Sequence, residues 1–244
     1  MAEYENRVRT AATTAIPAID AGLRAYMLRV YNYMLMGLAL TGITAFATAN
    51  TPLRDLFFNY TEAGAGLTML GLVAMIAPVG LVFWLSFRVH KMSFGTAQTV
   101  FWVYAGLMGI SIASILLNFT GASVARVFFI TAATFGAMSL YGYTTKRDLS
   151  GLGSFLFMGL IGLIIASVVN IFMQSTMMHW VISVAGVLIF TGLTAYDTQK
   201  IKSSYDVSYS GEAAGKMAIM GALNLYLDFI NLFIMLMRIM GERR

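Results

Sequence analysis

The chain has 244 residues, of which 59% are hydrophobic and 11% charged; it contains no cysteine and carries a formal net charge of +5. A soluble domain of ordinary composition is about 25% charged, so this balance excludes one and leaves a polytopic membrane protein. At about 20 apolar residues per span, seven spans use over half the chain and leave nothing for a separate soluble domain. Without cysteine there are no disulfides, thiol catalysis or cysteine metal sites, and a basic excess in such a chain sets membrane orientation rather than binding nucleic acid.

Residues 1–23 are polar and alanine-rich, with Glu3, Glu5, Arg7, Arg9 and Pro17. They read as a mobile cytoplasmic arm ahead of one membrane domain, 24–244. No short apolar run ends there in a cleavage site, so the first span, about 25–49, is expected to act as the insertion signal. Residues 50–62, with Pro52, Arg54 and Asp55, read as a turn-rich connection. The second span is expected over about 64–87, with Pro78 as a packing kink, and a basic loop from Arg88 to Lys91 follows. The third, fourth, fifth and sixth spans fall near 94–117, 124–143, 153–173 and 177–196. Gly159, Gly162, Gly186 and Gly192 are expected to let helices approach closely. The longest polar loop, 198–215, leads to a seventh apolar segment at about 217–240, long enough to span.

With the N-terminus inside, the inner side holds Arg7, Arg9, Arg24, Arg29, Arg88, Lys91, Lys146, Arg147, Lys200, Lys202 and Lys216, and the outer loops hold only Arg54 and Arg126. Such asymmetry predicts an N-in topology. The tail is the open point: Arg238, Arg243 and Arg244 lie outside if the seventh segment spans and inside if it is re-entrant.

Two carboxylates stand out. Asp197 ends the sixth span and Asp228 lies within the seventh, where a bare carboxylate costs about 2.5–3.5 kcal/mol at a helix centre. A residue kept at that cost faces the interior of a bundle and has a partner, which here is the other aspartate. Asn224, Asp228, Asn231 and Arg238 follow one another at steps of four, three and seven, so they share one face of a helix whose other face is Leu, Ile, Phe and Met. A polar stripe in lipid turns inward, which makes the last helix the expected centre of an all-α, seven-helix bundle. The alternative is interhelical polar glue without transport.

Two adjacent carboxyls do not readily both ionise, and such a pair titrates as a unit. Sharing one proton, they would hold the sixth and seventh helices together; fully ionised, they would repel or attract a cation. Calcium takes several hard oxygen ligands. Asp197 and Asp228, with Asn224, Asn231 and loop carbonyls, offer only a weak, transient site, which suits a leak. His90 and His179 fall on opposite sides and do not make a metal pair, and Asp148 beside Lys146 and Arg147 reads as a solvated helix-end cluster. An intramembrane aspartyl protease would also place two aspartates on neighbouring helices. Its Gly-x-Gly-Asp motif is replaced here by Leu225-Tyr226-Leu227-Asp228, and its Pro-Ala-Leu signature is absent, so the chain is not expected to be an enzyme.

Three stretches, SLYGYTTKRDL at 139–149, TGLTAYDTQK at 191–200 and NLYLDFINLF at 224–233, together with RVY at 29–31 and GLALT at 37–41, resemble the Bax inhibitor-1 (TMBIM) family in its bacterial form over about residues 29–240. The resemblance implies seven helices with the last one central, a paired-aspartate pH sensor and a calcium leak. By position Asp197 and Asp228 match the pair. A basic residue at the inner end of the second helix, for which Arg88 is the candidate latch, would hydrogen-bond it. No resident cofactor is expected, calcium entering as the transported ion alongside protons and the lipid bilayer. The family also implies a second role, contact with a membrane protease or another membrane protein in a stress or cell-death response, without ion transport. A bacterial inner membrane is the expected location.

Overall fold

The computed structural model describes residues 2–61, 64–206 and 211–244, with side chains described over 21–59, 66–206 and 211–244. In chain order the elements are α1 (Ala2–Asn50), α2 (Arg54–Phe57), β1 (Phe58–Thr61), β2 (Gly64–Leu67), α3 (Met69–Arg88), a 3-10 turn (Val89–Lys91), α4 (Phe94–Asn118), α5 (Gly121–Thr144), α6 (Ser150–Met173), α7 (Thr176–Ser203) and α8 (Gly211–Met240). All of the long helices, α1 from Ala21 onward and α3 to α8, are long and apolar enough to cross a membrane. The protein is an all-α polytopic bundle.

Hydroxyl side chains set where four of these helices begin. Thr68, Ser93, Thr120 and Ser175 each accept a hydrogen bond from a backbone N–H three residues on, which satisfies a donor that the first helical turn leaves free. At the α6–α7 turn, Gln174 adopts a left-handed conformation with φ 50°. Buried Asn170 accepts the Ser175 N–H there at 3.0 Å.

The stretch 50–67 differs from the expected loop. It forms α2 and then an antiparallel hairpin, with Phe58 opposite Leu67 and Asn59 opposite Gly66. The second span accordingly starts at Met69 rather than near residue 64, because Gly64, Ala65 and Gly66 form a poor helix start and their backbone pairs with β1 instead. The expected arm shows no break at residue 23: α1 is one helix from Ala2 to Asn50, and the side chains of 1–20 lie outside those described.

α8 is the axis of the bundle. It packs against α1, α4, α5 and α7, while α3 lies outside on α4 and α6 outside on α7. About 72% of its apolar window is buried, against 11–39% in the other spans. Its core residue Tyr226 donates to or accepts from Thr41 at 2.6 Å and meets the rings of Phe101 and Tyr104 edge-on. Close approach elsewhere needs small residues: a Cβ at Gly142 would run into the Ala195 carbonyl oxygen, joining α5 to α7, and one at Gly186 would meet Met235. Gly159 and Gly192 likewise face Ile189 and Leu156, whereas Gly162 faces open space and does not serve the expected helix contact.

α8 also runs the full length of the bundle, which answers the question of its tail. At its start the Phe94 N–H donates to Glu212 at 3.3 Å and Lys216 donates to the Met92 carbonyl at 3.2 Å. At its end Thr120 N–H donates to the Glu242 carbonyl at 2.9 Å, Arg244 N–H to the Asn118 carbonyl at 3.1 Å, and Arg126 pairs with Glu242 at 2.9 Å. The chain is therefore not re-entrant, and Arg243 and Arg244 share an end with Arg126.

Candidate functional site

α7 and α8 are antiparallel neighbours, so residues counted back from the end of α7 meet residues counted forward along α8. Ile201 lies against Gly221; one turn back along α7 is Asp197 and two turns on along α8 is Asp228, and the two carboxyls are close enough to share a proton. A hydrogen bond between two carboxyls needs a proton on one of them. Asp228 is only 4% exposed, and its second carboxyl oxygen has no hydrogen-bond partner among the described residues. Asp197 is half-buried. Because α8 begins at Gly211, earlier than its apolar stretch suggested, Asp228 sits just past the middle of the helix.

The pair borders a cavity of about 730 Å³ between α6, α7 and α8. α8 contributes Asn224, Asp228 and Asn231, α7 contributes Tyr196, Asp197 and Lys200, and α6 supplies an apolar wall that includes Phe157 and Ile164. Both of those wall residues are more than half exposed, so the cavity opens on the side of the bundle. The Asn231 amide donates to the Leu227 carbonyl at 2.9 Å, which leaves its oxygen free to accept or to ligate. The other side of α7 is fastened: Thr198 meets Ser139 at 3.0 Å, and Ser139 meets Tyr31 at 2.6 Å. The aspartate thus projects from a helix that is held on its far side by α5 and α1.

Three of the four residues of the predicted stripe line the cavity. Arg238 does not: it lies in the last turn of α8 and is exposed. Its angular position is right, but ten residues from Asp228 is about 15 Å along the axis, beyond the cavity. Arg88, the candidate latch, lies away from the pair in this structure. It is exposed at the end of α3, which packs on α4, and it has no hydrogen bond or ion pair to either aspartate among the described residues. The cation that acts on Asp197 is Lys200, one helical turn on, lying 5.7 Å from the Tyr196 ring centroid. Sequence reasoning counted Lys200 only among the orientation charges; its i+3 spacing from Asp197 was the available signal. His90 follows α3 and His179 begins α7, at opposite ends of the bundle. Asp148, in the loop before α6, accepts from Ser150 N–H at 2.9 Å. Hydrogen bonds from the Ser150 side chain and backbone hold its carboxyl below the usual range.

Seven spans, one of them central and bordered by a lateral cavity that two carboxyls line, define a multi-pass membrane protein. The chain belongs to the Bax inhibitor-1 family: the family model described as inhibitor of apoptosis-promoting Bax1 matches residues 23–244. It is 48% identical over 245 residues to a protein of Rickettsia prowazekii, covering all of both chains. It is 46% identical to the inner membrane protein YbhL of Escherichia coli K12, over 92% of this chain and 94% of that one. A membrane protein of Streptococcus pyogenes is 39% identical over 91% of this chain and 95% of its own.

Proposed function

We propose that this protein is a pH-controlled cation leak, with calcium as the transported ion, governed by Asp197 and Asp228. The observation that carries the reading is the close carboxyl pair, Asp197 and Asp228, bordering a cavity between α6, α7 and α8. While a proton is shared, the pair ties α7 to α8. Once it leaves, two negative charges in contact repel strongly in a medium of low dielectric constant and draw a cation instead. The amide oxygens of Asn224 and Asn231 add neutral ligands. Two carboxylates and two amides fall short of the six to eight oxygens that calcium prefers, and weak coordination lets an ion leave as readily as it enters. The protein acts without a covalent step or a resident cofactor.

The basic residues support an orientation with the N-terminus in the cytoplasm. Among the described residues Arg24, Arg88, Lys91, Lys146, Arg147, Lys200, Lys202 and Lys216 lie towards the end of the bundle where α3, α5 and α7 finish and α8 begins, against Arg54, Arg126, Arg238, Arg243 and Arg244 at the other; positive charge collects inside. A relative named as an inner membrane protein supports a bacterial inner membrane.

Calcium flux into proteoliposomes between pH 6 and pH 8 tests the reading. The wild-type flux is expected to change several-fold across that range, and Asp197→Asn or Asp228→Asn to flatten the profile. No flux at any pH would overturn the leak in favour of a partner-binding role. An unchanged profile in both variants would remove the pair as its sensor.

A further inference from the structure

A second cavity, which shares no residue with the first, lies between α1 and α5 and has a volume of about 460 Å³. Its walls are apolar: Met27 and Leu28 from α1, Phe135 and Leu140 from α5. Leu28 is 54% and Leu140 63% exposed, so this is a groove on the outer face of the bundle, between two membrane-crossing helices. Gly136 keeps it open, since a Cβ built there would have no atom within 4 Å.

The mouth of the groove is cationic. Arg24 lines it, is exposed, and has no hydrogen bond or ion pair among the described residues. Tyr143, which also lines the groove, has Lys202 as its neighbour: the ammonium donates to the Tyr143 carbonyl at 2.8 Å and lies 4.9 Å from its ring centroid. Lys146 and Arg147 follow Tyr143 at the end of α5. Among the described residues no acidic side chain lines the groove. From Arg24 to Tyr31 is seven residues, about 10 Å along α1, enough to seat the first part of an acyl chain below a headgroup.

We infer that the groove between α1 and α5 is a binding site for an anionic phospholipid, with one acyl chain along Gly136 and the phosphate at Arg24 and Lys202. Basic pockets between membrane helices at one face of the bilayer recognise such headgroups. A zwitterionic lipid carries its own ammonium and gains less from this mouth, whereas phosphatidylglycerol meets it with a net negative charge. The inference does not rest on the leak reading.

Native mass spectrometry of the detergent-solubilised protein tests it, with dioleoylphosphatidylglycerol and dioleoylphosphatidylcholine offered at equal concentration. The wild type is expected to retain the anionic lipid at least fivefold better. Arg24→Gln is expected to lower that preference about fivefold, the effect of one basic residue at an anionic headgroup. Gly136→Leu fills the groove and is expected to abolish the preferred adduct. Gly80→Leu, at an exposed position of α3 that is likewise free of neighbours, is the control and is expected to behave as wild type. Equal retention of the two lipids by the wild type, or an undiminished preference in both Arg24→Gln and Gly136→Leu, would overturn the site.

Discussion

α6 and α8 make an instructive pair. α6 is the most apolar of the seven spans and the least buried; α8 is less apolar and by far the most buried. In water the order would be reversed. In a bilayer lipid tails accept Leu, Ile and Phe as well as a protein interior does, so apolarity alone does not drive a helix inward. What does is polarity that lipid cannot satisfy: α8 carries Asn224, Asp228 and Asn231 along one face, and these need protein or a cavity beside them. The rest of α8 is then enclosed by α1, α4, α5 and α7, with Ala218, Ala222, Leu225 and Tyr226 fully buried.

The largest expected consequence is a difference in sensitivity. Tyr226→Ala removes a fully buried ring and its hydrogen bond to Thr41, and is expected to cost about 3–5 kcal/mol, while Phe155→Ala on α6, 66% exposed, changes stability by less than about 0.5 kcal/mol. Denaturant unfolding in mixed micelles measures both; comparable losses would break the contrast between the two helices. A smaller effect separates glycines within the bundle. Gly142→Ala forces apart α5 and the Ala195 carbonyl and is expected to cost about 1–3 kcal/mol. Gly162→Ala on α6 meets nothing and, by helix propensity, is expected to be neutral or to gain up to about 1 kcal/mol. Equal melting temperatures for the two variants would show that the α5–α7 contact yields easily.

The smallest effect belongs to the loop before α6. The Asp148 carboxyl is hydrogen-bonded in its ionised form and its pKa is lowered. Its contribution is therefore present above the ordinary aspartate pKa and fades as the pH falls through the lower folded value. Asp148→Ala is expected to reduce the melting temperature slightly at pH 7 and not at all near pH 2. A larger loss at low pH would contradict the hydrogen bond to Ser150.

Seven spans were legible in the sequence, and so was the placing of Asp197 and Asp228 on neighbouring helices, where they line one cavity. Apolar runs of 20 or more residues have one structural outcome in lipid, and two isolated carboxylates in such runs have few ways of avoiding it. The stripe on α8 was legible in angle but not in depth, which is why Arg238 shared its face and missed the cavity. The hairpin at 58–67 was hidden because Gly64–Leu67 is short and apolar enough to read as the start of the next span.

The sequence by itself determined the class of protein, the number of spans and the two acidic residues, because the exclusion of unsatisfied polar groups from lipid acts on each segment separately. Only the tertiary structure decided that Arg88 stands away from the pair, because α3 packs on α4 at the rim of the bundle. It also decided that α8 reaches the opposite end, where Glu242 meets Arg126, and that α1 and α5 leave a groove at Gly136. Each of these depends on which helices are neighbours, and a periodicity along one helix carries no record of what packs against it.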